Sequence, residues 1–331
     1  MLLNVKNSLI YRRIFSHIFI KRTLNLIRYN NRLQKILRKN INNLIDYYKY
    51  SVEMEIIPYF SYDGNNKFIN NYSDNNAYIN FVDEKEKYSV VKADTPIRNK
   101  IKKIKIILFR IDNTYKRLFY KCEGLYTITF TKPFEAPNDM NRFFSGCKNL
   151  EYVDFGKIKT HNCLDMSYMF SECEKMKRLD LSSFDTSNVT SMHGMFLNCK
   201  DLINFNLETF DTRNVEDMSI MFMGCNSMKW FAIILGKIII GNFQTGKLQT
   251  MEKMFAYCGD LEYIDLSNVI ITKDINISDI FYRCKKLKII ALNNSKCLSE
   301  KQLSNIQETG GDKKPLISAP NELFEALSIY E

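Results

Sequence analysis

Apolar positions recur as a block between Met169 and Met221. The stretch MFSECEKMKRLDLSSFDTSNVTSMHG is followed by MFLNCKDLINFNLETFDTRNVEDMSI, and then by MF again. Met169-Phe170 returns as Met195-Phe196 and Met221-Phe222, and Cys173 returns as Cys199 and Cys225. Phe184-Asp185-Thr186 returns as Phe210-Asp211-Thr212. Self-similarity at a fixed period of this length marks stacked repeats. Two periodicities alternate inside each copy. Met176, Leu179 and Leu181 have the L-x-x-L-x-L spacing of a strand, with Arg178, Asp180 and Ser182 on its other face. After the turn-forming Asp-Thr-Ser-Asn, the residues Met192, Met195, Phe196 and Cys199 stand at i, i+3, i+4 and i+7, one face of a short helix.

Weaker copies extend the array. Leu118-Phe119…Cys122 and Phe143-Phe144…Cys147 lie upstream; Met254-Phe255…Cys258 and Ile280-Phe281…Cys284 lie downstream. The in-register cysteines 122, 147, 173, 199, 225, 258 and 284 are separated by 25, 26, 26, 26, 33 and 26 residues. The fold expected is therefore an α/β repeat: a leucine-rich-repeat-like solenoid of about seven strand-turn-helix rungs with a parallel sheet, each rung burying its apolar face against the next. A seven-residue insertion separates Cys225 from Cys258.

The stretch Leu179 to Cys199, L-D-L-S-S-F-D-T-S-N-V-T-S-M-H-G-M-F-L-N-C, resembles the BspA-type leucine-rich repeat of bacterial and protist proteins. The resemblance covers roughly residues 118–292 and implies a non-enzymatic binding protein, many relatives being displayed on cell surfaces. Phe184 and Phe210 stand where the commonest leucine-rich repeat has Asn, so that type's Asn ladder is not expected.

The remaining chain divides around the array. Residues 1–50 form a basic segment with apolar stripes at helical spacing (Ile10, Ile14, Ile18, Phe19; then Leu33, Ile36, Leu37, Ile41, Leu44, Ile45). Three readings of it stay open: a helical cap, a module resembling the helical start of an F-box without its Leu-Pro opening, or a contact for anionic membrane or nucleic acid. Residues 51–117 lack the repeat and are expected to be its N-terminal cap, with Ile101 to Phe109 an apolar strand under the first rung. Residues 293–331 are the C-terminal cap and tail. There Leu298 to Ile306 is expected to be a closing helix, with Ser299 as N-cap and Glu300 in its first turn.

Charge is localised. The net charge is +10, and residues 1–50 carry eleven Lys/Arg against Asp46 alone, so the rest is neutral. Polyanion binding would belong to that segment and fade with salt. The nine cysteines are odd in number, and seven are placed by the repeat, which favours buried reduced thiols over disulfides and a cytoplasmic setting over the cell surface. Cys163 and Cys297, outside the register, are expected to be more accessible. No Cys-x-x-Cys pair suggests zinc. The apolar run Ile14–Ile20 is too short to span a bilayer.

No catalytic constellation, cofactor motif or metal site is legible, and no small-molecule substrate is expected. His17, His161 and His193 are the three histidines. His193 is not repeated, since Ser167 and Ser219 hold the same position, and it is expected to be a surface residue. Asp185 and Asp211 are expected to shape turns rather than bind calcium.

The expected docking face is the solvent side of the sheet. Its candidate residues are Tyr152, Asp154, Arg178, Asp180, Asn204, Asn206, Trp230, Tyr263 and Asp265, followed by Ile289 and Ala291 on the last rung. Tyr, Trp and Arg are the types enriched at binding hot spots. Asp154 and Asp180 on neighbouring strands would repel each other, which a basic partner would relieve. The function expected is a protein-interaction scaffold. Its rivals are an F-box-like receptor holding a ubiquitin-ligase adaptor through residues 8–50, and a BspA-like surface adhesin.

Overall fold

The computed structural model describes residues 52–59, 69, 77–83, 88–90, 101–108, 117–207, 209–228, 230–231, 245–266, 269–292 and 298–318. The segment 1–50, Cys297 and most of the insertion after Phe231 lie outside them.

Alternation of buried and open positions makes β1 (Val52–Pro58) a strand with one dry face: Val52, Met54 and Ile56 are buried, and Glu53, Glu55 and Ile57 face outward. It pairs antiparallel with β4 (Ile101–Leu108), which pairs with β2 (Ala77–Asp83), which pairs with β3 (Tyr88–Val90). The apolar run at Ile101 is thus a strand, but β1, not β4, lies beside β5 (Leu125–Phe130). β5 starts the repeats and pairs parallel with β7 (Tyr152–Asp154), closing a six-stranded sheet. A second pair, β6 (Phe134–Glu135) and β8 (Ile158–Lys159), stands apart, as do β9 (Arg178–Asp180) and β10 (Asn204–Asn206). The last sheet runs β11 (Trp230–Phe231), β12 (Tyr263–Asp265), β13 (Ile289–Ala291) and β14 (Leu316–Ser318).

The segments expected to be helical are not. In Met166–Cys173 the N–H groups of Met166, Tyr168, Phe170 and Glu172 are donated to the carbonyls of Ser191, His193, Met195 and Leu197, one repeat on. The N–H groups of Met169, Ser171 and Cys173 close turns on Met166, Tyr168 and Phe170. An α-helix would send each N–H to the carbonyl four residues back. Here alternate residues bond inward and across, and every fourth residue turns left-handed: φ is 56° at Tyr168 and 60° at Glu172. The same pattern recurs at Arg142 and Gly146, at Gly194 and Asn198, and at Ile220 and Gly224. Gly194 and Gly224 serve there because φ is positive, and a Cβ on Gly194 would lie 2.8 Å from Cε1 of Tyr168. A coil of turns advancing four residues at a time buries positions i, i+3, i+4 and i+7 just as a short helix does. That is why the hydrophobic pattern pointed to the wrong element.

The strand-turn-helix, leucine-rich-repeat-like solenoid is therefore corrected. Among the described residues the α-helix is α1 (Glu300–Gln307), outside the repeats, and the strands form small separate sheets rather than one parallel sheet. α1 begins as the sequence indicated: Ser299 caps it, and Gln302 reaches back to complete a capping box.

The neighbouring repeats are held in register by side chains that also repeat. Phe119, Phe144, Phe170, Phe196, Phe222, Phe255 and Phe281 stack in one buried column, with successive centroids 5.0–5.7 Å apart and planes within 20° of parallel. The thiol of Cys173 donates to the Phe144 carbonyl at 3.3 Å, that of Cys199 to Phe170 at 3.1 Å, and that of Cys225 to Phe196 at 3.1 Å. Each such carbonyl also accepts its own repeat's Cys N–H, using both lone pairs. The buried Thr186 hydroxyl donates to the Asp211 carbonyl at 3.0 Å and accepts the Asp211 N–H at 2.8 Å; Thr160 does the same for Asp185. Asn188 and Asn214 donate to the carbonyls of His161 and Ser187. Asp185 and Asp211 shape turns, accepting the N–H of Ser187 and Arg213.

Cys163 differs from its expectation: it is buried, and desolvation pushes its thiol up to about 12. All eight described cysteines are buried. Under native conditions, at most one of the nine cysteines should react rapidly with a thiol reagent, and it should be Cys297. Fast modification of Cys173 or Cys199 would show that the column is not packed. A second test separates coil from helix. Glu172→Gly should be more stable than Glu172→Ala, because alanine pays about 1 kcal/mol or more at positive φ. A helix would reverse that order by about 1 kcal/mol. Thermal melts of the two variants decide it.

Candidate interaction face

The outer face of the first sheet carries a row of exposed side chains. Ile57 on β1 stands opposite Thr127 on β5, and Thr127 opposite Tyr152 on β7. Arg178 takes the same place one repeat on, and pairs in register with Asn204 of β10. Ile57 is 43% exposed, Tyr152 46%, and Ile203, just before Asn204, 51%. The backbone of Ile203 bonds to Lys177. Arg178 and Lys177 are exposed, and among the described residues their side chains have no hydrogen-bond or ion-pair partner. Ile57, Lys177 and Ile203 escaped the sequence reading. Ile57 lies outside the repeats, and the other two precede the first outward strand position of their repeats.

The acidic members have local work. Asp154 accepts the Gly156 N–H at 2.8 Å and Asp180 the Ser182 N–H at 2.9 Å, the bonds of a turn. Hydrogen bonds from Ser182 hold the Asp180 carboxyl below the ordinary carboxylate range. Glu55 is bridged by Lys103 at 2.7 Å and Lys105 at 3.1 Å.

Further along, the face is closed by the chain itself. Tyr263 is only 4% exposed and forms a separate apolar cluster with buried Ile289 and Ala291, so these three correct the list of open positions. Asp265 on β12 is half-buried. Trp230 pairs with Tyr263 through the backbone of β11 and β12. Asn204 and Asn206 pair with Arg178 and Asp180. The face therefore divides: Tyr152, Asp154, Arg178 and Asp180 are brought together in the open half, and Tyr263 is withdrawn.

A second polar line runs along the turn edge. The Arg142 guanidinium sits 4.3 Å from the centre of the Tyr168 ring, and the Tyr168 hydroxyl is 2.7 Å from His193 Nε2. His193 Nδ1 is 3.1 Å from Asp217 Oδ2. A carboxylate only accepts, so in the neutral ring Nδ1 carries the hydrogen and Nε2 accepts from tyrosine. His193 is thus a half-buried bridge between repeats rather than a free surface residue. It was invisible in sequence because its neighbours at the repeat spacing are serines. Burial pushes the Asp217 carboxyl up, but hydrogen bonds from His193 and Ser219 outweigh this and hold it below its usual value.

Sequence-related copies bound edge to edge, with an open row of side chains along one face, define a repeat-containing protein. The chain matches the family described as Mycoplasma protein of unknown function, DUF285, over residues 138–232 and 233–308, more than half its length, and belongs to that family. None of the curated proteins matches it.

The lowered Asp217 carboxyl gives a pH test. A depressed folded value contributes stability that is present above the unfolded value of about 3.9 and is lost as pH falls through the folded one. The melting temperature of Asp217→Asn should thus lie below that of the parent at pH 6, and the gap should close below about pH 4. A gap that stays constant down to pH 3 would remove Asp217 from the account.

Proposed function

We propose that the chain is a non-enzymatic protein-interaction scaffold that binds a partner on the open half of the sheet face. The observation carrying this reading is the row Ile57, Tyr152 and Arg178, where large side chains are exposed next to a fully packed core. Isolated exposed apolar residues are ordinary, but an aromatic and an arginine in line with aliphatic neighbours have the composition of a hot spot. The resemblance of Leu179–Cys199 to the BspA-type repeat supports the same class, its members looking like binding proteins. Among the described residues no helix is long and apolar enough to cross a membrane. The F-box-like and polyanion readings concern residues 1–50, outside the described structure.

The test is partner recovery on the immobilised full chain, with the melting temperature measured in parallel. Tyr152→Ala combined with Arg178→Ala should leave the melting temperature nearly unchanged and weaken the recovered partner by about 2 kcal/mol or more, roughly 30-fold in affinity. Recovery that survives this pair but is lost in Tyr168→Ala would move the interface to the turn edge.

A further inference from the structure

The distribution of satisfied and unsatisfied charge on the face bears on the chemistry of the partner. Three exposed apolar side chains, Ile57 on β1, Tyr152 on β7 and Ile203 just before β10, mark a strip that crosses the end of the first sheet and continues over the neighbouring separate pair β9 and β10. Three paired-strand spacings of about 4.8 Å plus the step between the adjacent β7 and β9 make it on the order of 20 Å long. The carboxylates beside it are engaged: Glu55 with two lysines, Asp154 and Asp180 with backbone N–H groups. The cations within it are not. Lys177 and Arg178 are exposed between Tyr152 and Ile203, without a side-chain partner among the described residues. Beyond β10 the strip meets the covered part of the face, where Tyr263, Ile289 and Ala291 are buried.

From this we infer that the strip takes an acidic, apolar protein segment: aliphatic or aromatic side chains against Ile57, Tyr152 and Ile203, and carboxylates against Lys177 and Arg178. The inference rests on the scaffold reading and narrows it. The aspartates, which by themselves would have favoured a basic partner, are used within their own turns. The Arg178 guanidinium offers a paired-donor fork that matches a carboxylate, and a segment lying over it would exclude water, which strengthens such a bond relative to open water. Electrostatic attraction of this kind sets specificity and association rate, while the apolar contacts set residence.

The experiment uses the full chain and two fluorescein-labelled peptides of about 14 residues, a length that spans about 20 Å as a helix. Both carry the same Leu and Phe positions; one has Glu and Asp between them, the other Lys and Arg. Fluorescence anisotropy should show the acidic peptide binding at least tenfold more tightly, with the preference weakening as salt rises. Lys177→Glu combined with Arg178→Glu should reverse the preference, and Tyr152→Ala should weaken the acidic peptide at least tenfold. Any attraction from the eleven Lys/Arg of residues 1–50 is the same in parent and variants, so the reversal isolates the strip. Equal or tighter binding of the basic peptide, no binding of either, or acidic binding that survives the charge reversal overturns the inference. If the inference fails while Tyr152→Ala with Arg178→Ala still abolishes partner recovery, the scaffold reading stands and only the partner chemistry is wrong. If recovery is also unchanged, both fall.

Discussion

The structure depends on where every second backbone N–H in the turn segments goes. A buried polar backbone group left unpaired costs about 1–3 kcal/mol, so a stretch that does not use helical bonds must export them. Met166, Tyr168, Phe170 and Glu172 hand theirs to the next copy, and their equivalents between Phe119 and Tyr257 do likewise. One copy therefore cannot satisfy itself, and each depends on a neighbour for its hydrogen bonds as well as its apolar contacts. The left-handed residues follow from this. Sending alternate N–H groups outward requires the chain to reverse its sense every fourth residue, which explains φ near 60° at Glu172 and Asn198 and the glycines at their equivalents.

Around that ladder the side chains fill defined places. The phenylalanine column packs the axis, the cysteine thiols occupy the second lone pair of the phenylalanine carbonyls, and the buried threonines tie each turn to the next. The thiols behave as small, weak donors held out of water rather than as redox groups, since burial pushes them far above the range in which they ionise. Surface ion pairs such as Lys200–Glu174 and Lys286–Asp260 also bridge neighbouring copies, but in exposed positions their contribution is small beside that of the core.

Exposure on the sheet is uneven for a physical reason. Equivalent positions of the repeat are equivalent in backbone but not in what covers them. Tyr152, on the edge strand β7, and Tyr263, on the inner strand β12, hold the same repeat position in different sheets, yet one is open and the other buried in its own apolar cluster. At the β1 end the exposed row is extended by a residue from outside the repeats, Ile57, whereas on the last sheet the same register opens again at Leu316 of β14.

The sequence by itself determined the period, the register of the cysteines and phenylalanines, the strand positions from Arg178 to Ala291, and the capped start of α1. All of these follow from local side-chain alternation or from position-by-position self-similarity. It pointed wrongly to a short helix in the apolar turns, because helix and turn-coil bury the same spacing and differ only in where the N–H groups point. Gly146, Gly194, Asn198 and Gly224 were the one local hint of positive φ. Only the tertiary structure decided that the strands form separate small sheets, that His193 bridges Tyr168 and Asp217, that Cys163 is buried, and which half of the face stays open. Each of these depends on contacts between residues far apart in the chain, and no local pattern encodes them.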